Sequence, residues 1–219
     1  MFFKGVSMQI TKIVVTGGPC GGKSTAMRWI SHVFTKAGYK VLFVPETATE
    51  LITGGVAPWT CGTNAEYQKC QMKLQMEKEN LFEQAGRTMK TDKLLIVCDR
   101  GELDNKAYMN EEEFAEVLGF LGATEEELLA RYDAVFHLVT AAKDTVRFYT
   151  FENNQARYET AEEAVALDQR LMNCWSGHPY LKVIPGQDDF AMKMRHLMNE
   201  IADYLGTTVT VDMDEMIDD

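Results

Sequence analysis

The chain has 219 residues, 46% of them hydrophobic and 25% charged, with a net charge of −11. These values fit one globular domain with a sizeable core, or one domain carrying a lid. The negative balance, with no basic run to override it, argues against a nucleic-acid partner, because phosphate backbones are met by clustered Lys and Arg.

The first predicted strand is Ile10-Thr11-Lys12-Ile13-Val14-Val15-Thr16, which is rich in β-branched residues. It runs into Gly17-Gly18-Pro19-Cys20-Gly21-Gly22-Lys23-Ser24-Thr25. That stretch matches G-x-x-x-x-G-K-[ST], the phosphate-binding loop. Glycines allow positive φ, so successive N–H groups can point into one concavity and meet a triphosphate. Lys23 can reach the β- and γ-phosphates and the Ser24 hydroxyl can ligate Mg²⁺. Met27, Ile30, Phe34 and Ala37 then step by three and four along a helix whose N-terminal dipole faces the anion, and Gly38 closes it. Strand, loop and helix stand in the required order, so the chain is expected to bind a nucleoside triphosphate.

Lys40 to Val44 reads as a second strand, ended by Pro45 and followed at once by Glu46. Gly54, Gly55 and Pro58 mark a loop, with Trp59 exposed or folded over a site. Thr63-Asn64-Ala65-Glu66 is a capping box opening a long helix towards Thr88, with Tyr67, Cys70, Leu74 and Leu81 as its expected apolar stripe. Lys93 to Cys98 is an almost wholly apolar strand ending in Asp99-Arg100-Gly101. Start signals at Asn110 and Thr124 predict two short helices, and Ala134 to Val139 a fourth strand. Lys143 to Arg157 is polar, Thr160-Ala161-Glu162-Glu163 starts a further helix, and Leu181 to Gly186 carries the fifth strand. The last helix puts Phe190, Met194, Leu197, Ile201 and Leu205 on one face and stops at Gly206. Residues 1–9 are then an N-terminal extension, 10–206 the nucleotide-binding domain with a lid at about 143–160, and 207–219 an acidic tail.

Five cysteines without a C-x-x-C pair suggest neither a disulfide framework nor a zinc site; Cys98 is expected to be a buried thiol. The longest apolar run, Leu94 to Cys98, is far too short to span a bilayer, and the N-terminus lacks the apolar segment of a signal peptide. A cytoplasmic protein with no membrane partner is expected.

Alternating strands and helices imply a parallel sheet covered on both faces, with ligands beyond the carboxyl ends of the strands. Three strand ends meet there: the phosphate loop, Glu46, and Asp99-Arg100. Asp99 is placed as a Walker-B aspartate that helps hold Mg²⁺ opposite Ser24; a helix-capping role is the alternative. Arg100 follows where motor-type ATPases usually carry a water-activating Glu, which weighs against a dedicated hydrolase. Glu46 is the candidate general base towards an acceptor hydroxyl, with Glu50 as a weaker rival. Arg147 and Arg157 could close over the transferred group and neutralise its charge. His137 reads as a core histidine and Trp175 as packing; Asp168 and His178 could border the site but read more simply as structural. Asn105-Lys106-Ala107-Tyr108 lacks the Asp of a guanine-specific Asn-Lys-x-Asp, so ATP is the default donor and GTP stays open.

These residues carry a family resemblance. The sequence resembles the AAA-type ATP-binding P-loop family that includes the ribosylnicotinamide kinase domain of the NadR regulator. It is similar above all to the branch containing the N-terminal nucleotide-binding domain of the fly TRPL translocation defect protein. The likeness runs through Val14 to Pro19, Pro45 to Thr49, Cys98 to Gly101 with Asp104, Arg131 to Asp133, and His137 to Ala142. It continues through Tyr149-Thr150, Glu152, Asn153, Ala156-Arg157, Asp168 and His178-Pro179, covering about residues 10–206. It implies a three-layer nucleoside-kinase-like core, a five-stranded parallel sheet in the order 2-3-1-4-5, and a helical lid bearing Arg147 and Arg157. The fly protein continues into a CYTH-type domain, and no function residing there carries over. Two readings follow: a small-molecule kinase using Lys23, Glu46, Arg100, Arg147 and Arg157 on a nucleoside-like acceptor, or a nucleotide-dependent switch with slow or no turnover.

Overall fold

The computed structural model describes residues 8–141, 160–187 and 189–212. Five strands form one parallel sheet: β1 (Gln9–Thr16), β2 (Lys40–Val44), β3 (Lys93–Asp99), β4 (Ala134–Leu138) and β5 (Leu181–Ile184). Their order is β2-β3-β1-β4-β5, as the resemblance implies. The connecting helices are α1 (Lys23–Lys36), α2 (Thr47–Thr53), α3 (Asn64–Arg87), α4 (Glu111–Leu121), α5 (Glu125–Leu129), α6 (Ala161–Cys174) and α7 (Phe190–Leu205). A 3₁₀ helix over Glu102–Tyr108, which no start signal announces, follows β3 directly.

The sheet separates two cores. On one face Ile13, Val15, Leu95, Val97 and Phe136 pack under Trp29, Ile30 and Phe34 of α1 and Met194, Leu197 and Ile201 of α7. On the other, Val14, Leu94, Ile96, Cys98 and Val135 meet Met72 of α3, Phe114 and Val117 of α4, and Trp175. Burial on both faces explains why β3 reads as a continuous apolar run. It also drives the Cys98 thiol pKa well above its ordinary value, as a buried structural thiol requires. Val209 and Val211, beyond α7, pack against the first core.

Several helix starts obey local signals. Asn110, Thr124 and Thr160 each accept from the backbone N–H three residues on, and Glu113, Glu127 and Glu163 reach back to bond the cap's own N–H. The box at Thr63 forms only by half: Thr63 accepts from the Glu66 N–H, while the Glu66 carboxylate turns to Lys69.

The stripe expected along α3 is wrong. Tyr67 is buried, but Cys70 is exposed, Leu74 only partly buried, and Leu81 60% exposed. The buried face instead carries Gln68, Gln71, Gln75 and Glu79. Polar burial needs partners, and here they come from far along the chain. Glu79 is fully buried and accepts from the Tyr132 hydroxyl at 2.7 Å, from Arg131 at 3.1 Å and from Lys12 at 3.4 Å. Arg131 also pairs with Glu102 at 3.0 Å. Glu79→Ala would leave Lys12, Arg131 and the Tyr132 hydroxyl short of their shared partner. Breaking such a cluster is expected to cost about 3 kcal/mol or more of stability. Urea unfolding would measure it, and a loss below about 0.5 kcal/mol, the level of an ordinary surface change, would contradict the account.

Candidate phosphate and acceptor site

The register of the sheet builds the site. Val15 of β1 lies opposite Asp99 of β3 and opposite Phe136 of β4, so three strand ends finish together. Gly17 leaves β1 at φ +136, and a Cβ there would stand 2.1 Å from the Leu138 carbonyl oxygen, so only glycine fits. The loop then turns back on itself through a Gly21 N–H bond to the Gly18 carbonyl. Gly22, at φ +94, caps α1 and leaves the first N–H groups of the helix without a side-chain acceptor. Pro19 and Cys20 form the tip of the loop, and Cys20 sits at φ +56, rare for a residue with a Cβ. Ser24 and Thr25 occupy the first turn of α1.

The Lys23 ammonium donates to the Gly17 and Gly18 carbonyls at 3.0 and 3.3 Å. Burial, then the nearby Arg100 charge, lowers its pKa to about 8, against the pull of Asp99, Glu46 and Asp104. Asp99 ends β3 with Oδ1 buried and without a hydrogen-bond partner. Burial holds its pKa above the ordinary carboxylate value, Lys23 and Arg100 pulling the other way.

Arg100 is the second residue with a Cβ held at positive φ, +67. Its N–H bonds the Val15 carbonyl, and its own carbonyl accepts from Gln75 of α3. This strained turn aims the guanidinium at Glu46, with Nε 2.6 Å from Oε1. Thr49 donates to the other Glu46 oxygen at 2.5 Å. Burial alone would raise the Glu46 pKa; Arg100, the Thr49 hydroxyl and Lys23 outweigh it, and the pKa is lowered. Glu50, the weaker rival, is drawn off to Lys78 at 2.5 Å.

Asp104 ties these parts together. One oxygen accepts from the Thr16 hydroxyl at the end of β1, the other from the Gly101 N–H at 2.7 Å. Gly101 in turn packs against Trp175, where a Cβ would meet the indole at 2.6 Å.

Beside this cluster lies a cavity of about 410 Å³, enclosed by α2, α3 and the 3₁₀ helix. Glu46, Arg100 and Asp104 form its charged wall; Tyr67, Gln68, Gln71 and Asn105 line it as well. Pro58 borders it, but Trp59 is 75% exposed and does not. The buried polar face of α3 thus lines the cavity, which explains why a purely apolar stripe fails there. Tyr67 Oη, Gln68 Oε1 and Thr47 Oγ1 are buried without hydrogen-bond partners.

One residue read as structural serves the loop itself. Asp168 of α6 accepts from the Gly18 N–H at 2.6 Å and from His137 Nε2 at 3.0 Å. Burial would raise its pKa, but the His137 bond and the loop N–H keep it low. His137 is a buried core histidine, as expected, and His178 bonds the Tyr132 carbonyl away from the loop. Thr140 donates to the Pro19 carbonyl, and Lys193 of α7 to the Gly21 carbonyl at 2.9 Å. Sequence patterns miss both. Arg147 and Arg157 lie outside the described residues. Among the described residues no group of three or more His, Cys, Asp and Glu could hold a metal, and no helix is long and apolar enough to cross a membrane.

A protein family described as an AAA domain matches residues 12–192. No curated protein matches the chain. Among solved structures, the deoxyadenosine kinase of M. mycoides with bound dATP is similar, with a TM-score of 0.54 and 15% sequence identity. The match covers 87% of this chain and 98% of that one, and at such identity it speaks for the fold.

Proposed function

The chain belongs to this AAA-domain family of P-loop proteins, and from that premise we propose a small-molecule kinase. It would move the γ-phosphoryl group of a nucleoside triphosphate onto a hydroxyl of a nucleoside-like acceptor. The observation that carries the reading is the cavity beside Glu46 and Arg100, separate from the phosphate loop and tied to the loop's start through the Asp104–Thr16 bond. A nucleotide switch needs no second, deep, hydrogen-bonding chamber at the phosphate end.

In this reading the N–H groups of Gly17 to Thr25 and the Lys23 ammonium bind the triphosphate. Ser24 and Asp99 would hold Mg²⁺: the buried Asp99 Oδ1 lacks a partner, and Ser24 is exposed at the start of α1. When bound, the ion would neutralise charge on the phosphate oxygens. Glu46 takes the proton of the acceptor hydroxyl. Its lowered pKa keeps it ionised at neutral pH, and a loose phosphoryl-transfer transition state asks little of the base. Arg100 fixes the Glu46 carboxylate in one orientation. Arg147 and Arg157 complete the set as charges closing over the transferred group. ATP is the expected donor, with GTP as the alternative.

The acceptor is read from the cavity wall. Arg100 is the one cationic side chain among the described residues lining it, and Glu46 already engages it. Gln68, Tyr67 and Thr47 offer neutral hydrogen-bonding groups. That chemistry suits an uncharged, hydroxylated molecule rather than a phosphorylated one. The resemblance of the sequence to the family of the NadR ribosylnicotinamide kinase domain supports a nucleoside-like acceptor by analogy.

Mass spectrometry of the protein with Mg·ATP, then Mg·GTP, against pooled nucleosides and metabolites tests the reading. The expected result is a new species heavier by one phosphoryl group, found among uncharged acceptors. Tight nucleotide binding with no such species would replace the kinase by the switch.

A further inference from the structure

A phosphate loop works only if its N–H groups face the anion, and in a trans peptide the carbonyl then points the opposite way. Each peptide of the loop can therefore be held from behind by whatever bonds its carbonyl. Glycines make this necessary. With Gly21 and Gly22 adjacent, and Gly22 at φ +94, no Cβ resists a flip of the peptide between them.

Lys193 occupies that rear position. It sits in the first turn of α7 and is 3% exposed. Its ammonium donates to the Gly21 carbonyl at 2.9 Å and to the Val139 carbonyl at 2.6 Å. One side chain thus bridges the phosphate loop and the end of β4. Next to it Thr140 bonds the Pro19 carbonyl, which directs the Cys20 N–H the other way. Phe190, one turn earlier on α7, lies where a Cβ on Gly22 would stand 2.6 Å from its ring. The start of α7 and the end of β4 therefore form a fixed back wall for the loop.

We propose that Lys193, with Thr140, is a positioning residue for triphosphate binding: it holds the Gly21–Gly22 peptide with its N–H towards the phosphates. This rests on the loop binding a triphosphate, not on the chemistry that follows. Lys193 touches no ligand itself. Without it the peptide samples both orientations, and apparent affinity falls by the fraction of loops that remain competent. The Gly21 and Val139 carbonyls would also lose their donor, which favours the flipped state further.

The test uses inorganic tripolyphosphate and Mg·ATP as probes, with calorimetry on the wild type, Lys193→Met and Thr140→Val. Lys193→Met keeps the length and removes the donor; Thr140→Val keeps the shape. Tripolyphosphate isolates the phosphate cradle from any contact to the base. Lys193→Met is expected to weaken both probes by roughly tenfold or more, and Thr140→Val by a few-fold, by the population argument above. Thermal unfolding of each unliganded variant checks that the fold survives. A merely structural residue would lower the unfolding midpoint and leave the affinity of the folded protein unchanged. Folded Lys193→Met binding both probes like the wild type would overturn the proposal. Should Lys193→Met not fold, wild-type affinity in Thr140→Val would overturn it instead. A wild type that binds neither probe removes the triphosphate site and this inference with it. Binding without phosphoryl transfer removes the kinase alone.

Discussion

Lys23→Met is expected to abolish measurable triphosphate binding and, at the same time, to raise the stability of the unliganded protein. Among the described residues no other ammonium is shown at the mouth of the loop, since Lys193 bonds the carbonyl side, so binding should fall below detection in calorimetry. The stability gain follows from burial. Folding lowers the Lys23 pKa from 10.5 to about 8, so the unfolded chain binds its proton more tightly. Below pH 8 the cost of holding that charge is fully present; it is relieved as pH rises from 8 towards 10.5. At neutral pH the gap is worth on the order of 3 kcal/mol. Urea midpoints for wild type and Lys23→Met should therefore differ at pH 7 and converge near pH 10. Equal midpoints at pH 7 would mean that the lysine is not strained by its position. The same shift predicts that wild-type affinity for Mg·ATP weakens above about pH 8, where the unliganded side chain becomes neutral.

Glu46→Gln should separate binding from chemistry. Removing a general base typically costs 10²–10⁴ in rate, so turnover should fall by roughly that factor while Mg·ATP affinity changes little. Arg100 loses its charged partner at 2.6 Å and keeps Asp104 within 3.9 Å, so the turn after β3 should survive. Turnover at the wild-type rate would place the base elsewhere. The lowered Glu46 pKa carries a pH corollary. The stability it contributes is present above pH 4.5 and is lost only as pH falls through the lower folded value.

Much of this is legible in the sequence alone. The phosphate loop is contiguous, so nine adjacent residues state both geometry and chemistry, and the capping boxes at Asn110, Thr124 and Thr160 are local as well. Sheet order came from a resemblance, and the pairing agrees with it. What could not be read is whatever closes over distance. Gly18 meets Asp168 150 residues away, and Gly21 meets Lys193 172 residues away. No periodicity encodes such contacts, and a buried lysine on α7 looks in sequence like a surface one. The failed stripe on α3 has the same root. Hydrophobic period finds faces that pack on apolar cores, whereas this face packs on a cavity and on the Lys12, Arg131 and Tyr132 cluster.

The double grip of Asp104, on Thr16 at the end of β1 and on Gly101 after β3, acts as a spacer of fixed length. It ties the start of the phosphate loop to the wall of the neighbouring cavity, so in a kinase of the kind proposed the gap between donor phosphorus and acceptor oxygen would be set before either partner arrives. A fixed gap is a ruler. An error of about 1 Å in a reacting position can cost on the order of 10²-fold, so an alcohol longer or shorter by one methylene would miss. Regiochemistry follows: of several hydroxyls on one sugar-like acceptor, a single one should be esterified, however tightly the others are held.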